Sequence, residues 1–451
     1  MRYSYCIHTP FVPRARRARR IKMVGVWSKA SRLAHQLLNG VFLALIGRMS
    51  ELSILIASTF VPRHDGLATF AADLERAVSD QSAVQTRVIA IESEDETLHY
   101  GRRVVDRMQQ GDPDSYLQAA RSVRRLRPQI VSVQHEFGLW GEWGDGLEKD
   151  YAVPFIEAVA SQGVPVVTTL HTIRPSPPEY ECNVMREMVE KSAATVVMAR
   201  MGAMILMDDY DIKPDSIVQI PHGVPVVQRL PRRHFKRQLG LEGRSIISTL
   251  GMLDPRKGIE YAIQAMQTVA EQHPEALYLI IGETHPAYRK KFGEQYRNEL
   301  RALVKELHLS NHVRFVNQYL SDRELVDYLQ ASDIYMTPYL DRNQITSGTL
   351  AFAVGTGKAI VSTPYVHAIE ALAEGRGLLA EFRSADSIAQ CLLRMLNEPE
   401  YRRDMERRMV EYGAQDAWPL VGQRYVDLFH RVVDGDSLDD LLAIAPQAAH
   451  V

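Results

Sequence analysis

The chain has 451 residues, of which 46% are hydrophobic and 24% are charged, and its formal net charge at pH 7 is −2. This length exceeds what a single ordinary hydrophobic core supports, so the sequence predicts two or three domains. The near-neutral charge argues against a nucleic-acid-binding protein, which usually carries a clear excess of Lys and Arg. The three cysteines lie far apart, with neither disulfide nor metal-ligand spacing, which favours a reducing compartment. We therefore expect a cytoplasmic protein.

Residues 1–48 differ from the rest of the chain, because they contain ten Lys and Arg residues and no Asp or Glu. The apolar run Leu37 to Ile46 is too short to span a bilayer, and no small-residue cleavage site follows it clearly. We expect residues 1–48 to form a disordered basic leader ahead of a first strand. The alternative is a helix over residues 29–48 that lies on the inner membrane surface and gives the protein a peripheral membrane contact.

From residue 49 onward, short apolar runs alternate with stretches of helical periodicity. The runs in the first half are Leu52–Ser58, Gln85–Ile91, Ile130–Gln134, Val166–Leu170, Ala194–Met198 and Ile217–Ile220. These runs are almost continuously Val, Ile and Leu, which is typical of parallel strands covered on both faces. The regular alternation of strand and helix predicts a doubly wound α/β domain.

The same alternation restarts after a linker that extends from Pro225 to Gly243. The second set of runs is Ile246–Leu250, Tyr278–Gly282, Val313–Val316, Ile334–Pro338, Ala359–Thr363 and Gly377–Ala380. The pattern therefore predicts two doubly wound, Rossmann-like domains, residues 49–228 and 229–415, that face a cleft. Because open α/β sheets bind ligands at the carboxyl ends of their strands, we expect the functional site in that cleft.

The most informative stretch follows the first strand of the second half. Gly251 ends the strand, and Arg256 and Lys257 then come just before Gly258 and a helical run. A helix N-terminus offers free N–H groups and the positive end of its dipole, and two adjacent cations suit a diphosphate. We interpret the stretch as an anion site; the alternative is a solvated Arg-Lys pair at a helix start.

Polar residues also follow the strands of the first half. Gly66 stands in a loop that opens a helix and permits a close approach of the backbone to a ligand. His135 and Glu136 follow the third strand, and His171 follows the fourth. Each has an alternative interpretation: His135 as a satisfied strand-end histidine, Glu136 as a cap or salt-bridge partner, and His171 as a packed core histidine.

A second polar loop opens a helix in the second half of the chain. Ser347, Gly348 and Thr349 are its candidate N–H donors, and two helix N-termini with two cations suit a doubly charged phosphate linkage. Ligand spacing such as His-Glu-x-x-His is absent, so we expect no metal. The chain also lacks a Gly-x-Ser-x-Gly elbow, a P-loop and a Gly-x-Gly-x-x-Gly turn after either first strand, which argues against hydrolase, P-loop and dinucleotide-binding functions.

Taken together, these motifs resemble the retaining group 1 glycosyltransferases, also called family 4, which have the GT-B fold. The resemblance covers about residues 50–432. Its matching segments are Phe60-Val-Pro-Arg-His-Asp-Gly-Leu-Ala-Thr-Phe, Val166-Val-Thr-Thr-Leu-His171, Ile220-Pro-His-Gly-Val, Leu250-Gly-Met-Leu-Asp-Pro-Arg-Lys-Gly and Ala353-Val-Gly-Thr-Gly-Lys-Ala-Ile-Val-Ser-Thr. It implies a helix over residues 416–433 that crosses back to the N-terminal domain, which leaves residues 434–451 as a tail.

The resemblance also implies roles for individual residues. Lys257 resembles the lysine that binds the donor diphosphate, with Arg256 beside it, and Gly66 resembles the loop glycine near the phosphates. His171 resembles the histidine near the transferred sugar. The peptide amides at residues 347–349 fall where the family's backbone meets the phosphates.

Three positions depart from the family pattern. Met252 stands where the family usually has an arginine, and Gln344 and Phe352 stand where it has two glutamates. The amide of Gln344 retains the ability to hydrogen-bond sugar hydroxyls, whereas Phe352 cannot bind a ribose hydroxyl. The identity of the donor is therefore left open by the sequence.

The leading hypothesis is a retaining glycosyltransferase that moves a hexose from a nucleoside-diphosphate sugar to an acceptor hydroxyl. Mannose and glucose are the candidate hexoses. The resemblance implies a nucleotide sugar and a carbohydrate or glycoconjugate acceptor as partners, with no metal or other cofactor. The alternatives are a GT-B sugar-nucleotide epimerase, a phosphorylase, and a non-catalytic protein that binds sugar nucleotides.

Overall fold

The structure is a computed structural model, and it describes residues 51–93, 97–142 and 148–444. The predicted leader, residues 1–48, and the last seven residues of the predicted tail lie outside the described residues. In the described part of the chain the strands are β1 Leu52–Ser58, β2 Val84–Glu92, β3 Val104–Gln109, β4 Ile130–His135, β5 Gly141–Glu142, β6 Lys149–Asp150, β7 Val166–Leu170, β8 Ala194–Val197, β9 Ile217–Gln219, β10 Ser245–Leu250, β11 Ala276–Ile281, β12 Val313–Val316, β13 Ile334–Thr337, β14 Ala359–Ser362 and β15 Leu378–Leu379.

The α-helices between these strands are α1 Gly66–Ser79, α2 Pro113–Leu126, α3 Ala152–Ala160, α4 Glu179–Lys191, α5 Arg200–Tyr210, α6 Arg232–Gln238, α7 Ile259–Gln272, α8 Pro286–Phe292, α9 Gln295–Glu306, α10 Asp322–Ala331, α11 Gly348–Gly355, α12 Val366–Leu372, α13 Ala385–Asn397, α14 Pro399–Gln415 and α15 Trp418–Asp434. The predicted alternation of strand and helix is therefore present in both halves.

In the described residues β5 and β6 form a short antiparallel pair, and the other strands form two parallel sheets. The first has the order β3-β2-β1-β4-β7-β8-β9 and the second has the order β12-β11-β10-β13-β14-β15. Every ladder within the two sheets is parallel. The strand order reverses between β1 and β4 and again between β10 and β13, and ligands bind at such reversals in doubly wound sheets.

Each sheet is covered on both faces, which explains the continuous apolar strands. In β1, Leu55 and Ala57 pack into one hydrophobic cluster while Ile54 and Ile56 pack into another. Successive side chains of a strand point to opposite faces, so both faces of this sheet require apolar residues. The doubly wound α/β prediction is confirmed.

The last helix, α15, follows the helices of the second half but packs against α1 of the first. Val421, Tyr425 and Phe429 share a buried cluster with Phe70 and Leu74 of α1. The contact is close at Gly422, where a Cβ atom would meet the carbonyl oxygen of Ala77 at 2.4 Å. Any larger residue there would push the two helices apart, so α15 is held tightly on α1.

Candidate active site

The loop after β10 is built around a buried carboxylate that holds the side chain of Arg256. Asp254 is 3% exposed and accepts hydrogen bonds from the backbone N–H of Arg256 at 2.8 Å and from its Nε at 3.1 Å. Its second oxygen accepts from Nη2 at 2.9 Å. The hydrogen bond to Asp254 raises the pKa of Arg256, so this guanidinium is charged but already paired.

Lys257, unlike its neighbour Arg256, forms no ion pair with a described residue. Its ammonium lies 3.9 Å from the centroid of the Tyr339 ring, a cation–π geometry. Among the residues that the structure describes, we find no carboxylate within ion-pair distance of Lys257. Its charge is thus available to an anion at the mouth of the loop.

The same aromatic ring connects this cation to the N-terminus of α11. The hydroxyl groups of Tyr339 and Thr349 lie 3.0 Å apart, and the Ser347 hydroxyl accepts from the N–H of Leu350 at 3.3 Å as the helix cap. Gly251 has a φ of +124°, and a Cβ there would lie 3.4 Å from Thr349. The two predicted anion-binding elements therefore adjoin, with Lys257 beside the N-terminus of α11. Of the three predicted donors there, the N–H of Ser347 is already bonded to His367, so the N–H groups of Gly348 and Thr349 are the remaining candidates.

On the opposite half of the cleft, His171 follows β7 and rests on Gln134. Nε2 of His171 donates to Oε1 of Gln134 at 3.1 Å. The Gln134 amide nitrogen donates to the hydroxyls of Ser132 at 3.1 Å and Thr169 at 3.4 Å, so its oxygen faces the imidazole. Burial, with His222 and His135 nearby, holds the pKa of His171 well below its ordinary value. The ring is therefore neutral at pH 7, with its proton on Nε2.

The support of His171 extends to the crossing helix α15. The Thr169 hydroxyl that contacts Gln134 lies 3.2 Å from the hydroxyl of Tyr425. Phe70 of α1 packs edge-on against His171, with ring centroids 4.6 Å apart, and also contacts Trp418 at 5.3 Å. The orientation of the histidine thus depends on α1 and α15 as well as on its own strand.

Glu136 is the carboxylate of the cleft whose protonation is most strongly perturbed. Burial, reinforced by Asp65, raises its pKa to about 7, while His135, Thr172 and Arg256 act in the opposite direction. The Thr172 hydroxyl donates to its Oε1 at 3.4 Å. A group that titrates near 7 can give or take a proton at physiological pH.

Two further histidines lie at this site, although the sequence did not single them out as site residues. His222 donates through Nδ1 to the carbonyl of Gly223 at 2.7 Å, and its Nε2 would lie 3.9 Å from a Cβ on Gly348. His367 accepts at Nδ1 from the N–H of Ser347 at 2.9 Å. Burial lowers the pKa of His222 to about 4 and, with help from His222, that of His367 to about 3. Both follow strands at their carboxyl ends, which is the signal that finds them.

Two predicted site residues form hydrogen bonds to other protein groups in this structure. His135 is fully buried and donates through Nε2 to Asp150 at 2.9 Å, while its buried Nδ1 has no hydrogen-bond partner among the described residues. The structure therefore favours a strand-end histidine held by Asp150, of which only one ring nitrogen is satisfied. The Gln344 amide donates to the carbonyl of Thr346 at 2.9 Å within its own loop. Gly66 is exposed at the start of α1, where Asp65 caps the helix through the N–H of Ala68.

The loop that carries Gln344 connects the two halves of the molecule. Ile345 is 3% exposed and belongs to the apolar core of the first half, where its Cδ1 lies 3.8 Å from a Cβ on Gly202. Glu370 of α12 accepts from the N–H groups of Arg200 and Met201 at 3.2 and 2.8 Å. Helix α5 has no side-chain cap of its own, so a carboxylate of the second half caps a helix of the first.

Phe352 lies on α11, one turn beyond the anion-binding N-terminus, and is 8% exposed. It lines a cavity of about 590 Å³ between α1 and α10, together with Trp418. An apolar side chain at this position offers no hydrogen bond to a ribose hydroxyl, as the sequence predicts.

Within the described ranges, no group of three or more His, Cys, Asp and Glu side chains is placed to hold a metal ion. Across the same residues, every helix is too short or too polar to cross a membrane.

Solved structures identify the fold. The chain is similar to Anabaena HepE in complex with UDP, at a TM-score of 0.65 and 14% identity over 84% of this chain and 99% of that one. It is also similar to the sucrose-phosphate synthase of Thermosynechococcus elongatus, at a TM-score of 0.68 and 16% identity over 85% and 100% of the two chains. The fold is the GT-B fold, with two Rossmann-like halves, as the sequence predicted.

Sequence comparison then shows which proteins the chain resembles. Residues 231–415 match the family of group 1 glycosyl transferases. The D-inositol 3-phosphate glycosyltransferase of Corynebacterium aurimucosum is 24% identical over 308 residues, 66% of this chain and 70% of that protein. The phosphatidyl-myo-inositol mannosyltransferase of Mycolicibacterium smegmatis is 24% identical over 285 residues, 60% and 66% of the two chains. Residues 231–415 thus match the group 1 glycosyl transferases, and with these relatives and the GT-B fold the match supports the resemblance predicted from the motifs.

Proposed function

We propose that the protein transfers a hexose, with retention of anomeric configuration, from a nucleoside-diphosphate sugar to the hydroxyl group of a polyhydroxylated acceptor. This proposal rests on the position of Lys257 near the N-terminus of α11. The ring of Tyr339 contacts Lys257, and its hydroxyl contacts Thr349 of α11. This arrangement presents a cation and free N–H groups to one anion, which is the geometry that a departing diphosphate requires.

The residues of the second half of the molecule act on the leaving group. Lys257, with Arg256 beside it, stabilises the charge that develops on the leaving nucleoside diphosphate, so that the protein itself supplies the positive charge and no metal is expected. Closure of the halves, through contacts such as that of Ile345, excludes water from the transferred sugar.

His171 and Glu136 act at the sugar and acceptor side. The unprotonated Nδ1 of His171 is available as a hydrogen-bond acceptor, because Nε2 is occupied by Gln134. Glu136, with a pKa of about 7, is the candidate to take the proton of the acceptor hydroxyl. The names of the relatives favour an inositol or related polyol as acceptor, either free or as a lipid headgroup. We propose that the reaction takes place in the cytoplasm. If the acceptor is a lipid, it takes place at the inner membrane surface.

The test is incubation with a panel of UDP- and GDP-linked glucose and mannose and with inositol-type and sugar acceptors. We expect one donor to yield free nucleoside diphosphate and a glycosylated acceptor. Proton NMR of the anomeric signal should show the configuration of the donor, and EDTA should leave the rate unchanged. Inversion would contradict the retaining mechanism, and a loss of activity in EDTA that added metal restores would contradict metal independence.

The alternatives give different products in the same assay. An epimerase would change the sugar without consuming an acceptor. A phosphorylase would require inorganic phosphate and would show the absorbance of pyridoxal phosphate if it carried one. A non-catalytic protein would bind a nucleoside diphosphate and leave every donor intact. Any of these outcomes would overturn the transfer reaction.

A further inference from the structure

A second cavity lies in the C-terminal half, at the opposite end of α11 from the anion-binding N-terminus. Its volume is about 330 Å³. The linker and the start of α6 form one wall, the residues after α11 form another, and α14 closes the third side. Its principal lining residues are Arg229, Arg232, Gly357, Lys358, Glu406 and Arg407. The proposed transfer reaction uses none of them.

Four of the lining residues are cationic, and two of these are already paired. Arg232 contacts the carboxylates of Asp333 and Glu406, and Arg407 contacts Asp404. In the part of the chain that the structure describes, no carboxylate lies within ion-pair distance of the other two, Arg229 and Lys358. The cavity therefore holds positive charge in excess of its own counter-ions.

Lys358 is the more unusual of the two, because it is only 5% exposed. Its Nζ donates to the carbonyl of Ser332 at 3.2 Å, an oxygen that also accepts from Nε of Arg232 at 2.9 Å. An ammonium group has three donors, so this contact leaves most of its hydrogen-bonding capacity unused. Burial, with Arg232 and Arg229 nearby, lowers its pKa to about 7, while Glu406 and Asp333 act in the opposite direction. A buried cation of this kind is costly unless a counter-ion reaches it.

Arg229 approaches the same space from the linker. Its one hydrogen bond to a described residue is long, from Nη2 to the carbonyl of Gly355 at 3.5 Å. Gly357 makes room for it, because a Cβ there would lie 2.8 Å from Nη1 of Arg229 and 2.5 Å from Val410. The φ of Gly357, +64°, is also one that other residues rarely adopt. A side chain at residue 357 would therefore displace the guanidinium.

We propose that this cavity is a binding site for a phosphoryl group, distinct from the donor site, with Lys358 and Arg229 donating to its oxygens. A phosphoryl oxyanion supplies several acceptors to a guanidinium fork and an ammonium at once. Its negative charge would favour the protonated lysine, so that binding takes up a proton at pH values above 7. The group can belong to a free phosphorylated metabolite or to a phospholipid headgroup, since both present the same oxygens.

Isothermal titration calorimetry of the full chain with inorganic phosphate tests the site. Because phosphate is also expected to occupy the donor site, the Lys257→Ala variant serves as the parent in these titrations. We expect saturable binding at pH 7.5, with proton uptake measured by comparing buffers of different ionisation enthalpy. Lys358→Met and Arg229→Gln should each weaken binding by roughly ten- to a hundredfold, the scale of a charge-assisted contact. Lys358→Met should also abolish the proton uptake.

A matched control keeps this result specific. Arg301 is an exposed arginine of α9 that packs on Phe315, and Arg301→Gln should bind phosphate as the parent does. Since Lys358→Met removes an uncompensated charge, it should melt at the same temperature or higher. Should that variant fold poorly, Arg229→Gln alone decides. Equal affinity in the parent and in both cavity variants, or no binding in the parent, would overturn the proposal.

Vesicles separate the two sources of the ligand. Parent protein that sediments with phosphatidylglycerol vesicles but not with phosphatidylcholine vesicles, and that Lys358→Met releases, indicates a lipid headgroup. Phosphate binding that depends on Lys358 without such sedimentation indicates a free phosphorylated metabolite. The titration depends on no transferase activity, so it can succeed or fail independently of the proposed reaction.

Discussion

The side chain of Gln134 accepts a hydrogen bond from Nε2 of His171 at 3.1 Å, inside a network that reaches Tyr425 on the last helix. The Gln134 amide nitrogen donates to two hydroxyl groups, which leaves the amide oxygen facing the imidazole. The ring nitrogen of His171 that carries the proton is therefore determined by Gln134, which is fully buried.

The first prediction concerns this network. Gln134→Leu should remove the acceptor for Nε2, so that the proton of His171 distributes between both nitrogens and turnover falls. Affinity for the nucleoside diphosphate should stay near that of the parent, because His171 lies on the opposite half from the diphosphate site. Nitrogen-15 NMR of the histidine ring would report the tautomer, and steady-state kinetics would report kcat and KM.

Tyr425→Phe is the matched control, because it removes one hydroxyl that is three hydrogen bonds away from the histidine. It should change the tautomer and turnover less than Gln134→Leu does. An unaltered nitrogen-15 pattern in Gln134→Leu would show that the glutamine does not determine the tautomer.

The second prediction concerns Lys257. Its replacement by Ala should weaken nucleoside-diphosphate binding by roughly ten- to a hundredfold, since a charge-assisted contact contributes about 1.5–3 kcal/mol. Calorimetry would measure the affinity, and an unchanged melting temperature would show that the fold is intact. Lys291→Ala, on the exposed face of α8, is the control and should bind as the parent does. Equal affinity in both variants would remove Lys257 from the donor site.

A third prediction separates catalysis from packing at His171. His171→Ala should bind nucleoside diphosphate nearly as well as the parent but transfer sugar at least about a hundredfold more slowly, the scale of a positioned catalytic group. If the residue were only a core histidine, its loss would lower the melting temperature and weaken binding and turnover together. Near-parent turnover would rule out the catalytic role.

The fourth prediction follows from the raised pKa of Glu136. Burial raises this pKa from 4.5 to about 7, so the folded protein binds a proton here that the unfolded chain releases between those values. Stability from this group is therefore present below pH 4.5 and is lost as pH rises towards 7. Relative to the parent, Glu136→Gln should become progressively more stable over that range, measured as the difference in melting temperature at each pH. A difference that does not vary with pH would contradict the raised pKa.

The fifth prediction concerns closure of the two halves. Glu370→Ala should leave the N-terminus of α5 uncapped, and losing a helix cap costs about 0.5–2 kcal/mol. Since the cap comes from the other half, the loss should also raise the radius of gyration in small-angle scattering and increase KM for the donor. Glu374→Ala, which lies just beyond the same helix and pairs with Arg376, is the control. A fall in stability without a change in dimensions would limit Glu370 to a local role.

The sequence by itself determined the architecture. Continuous Val, Ile and Leu runs occur only where a strand is covered on both faces, and β1 and β10 show this in alternate residues that enter two clusters. Once the sheets are parallel, the residues after each strand must collect at one edge. The sequence could therefore place His171, Glu136, Lys257 and the start of α11 at the cleft without any knowledge of their contacts. The strand β3 was missed, because an edge strand that reads Val-Val-Asp-Arg-Met-Gln lacks the continuous apolar pattern.

Tertiary structure alone decided which of these residues are free to act. His135 and His171 both follow buried strands, but the antiparallel hairpin of β5 and β6 brings Asp150 onto His135, while Gln134 receives His171. The hydroxyls of Thr169 and Tyr425 meet across 256 positions of sequence, and Glu370 caps a helix 169 positions away. Local sequence patterns determine strands, helices and the edge at which they end, because those depend on residues a few positions apart. Hydrogen bonds and charge pairs depend on distances of about 3 Å between atoms, and only the packing of the two sheets and α15 sets those distances.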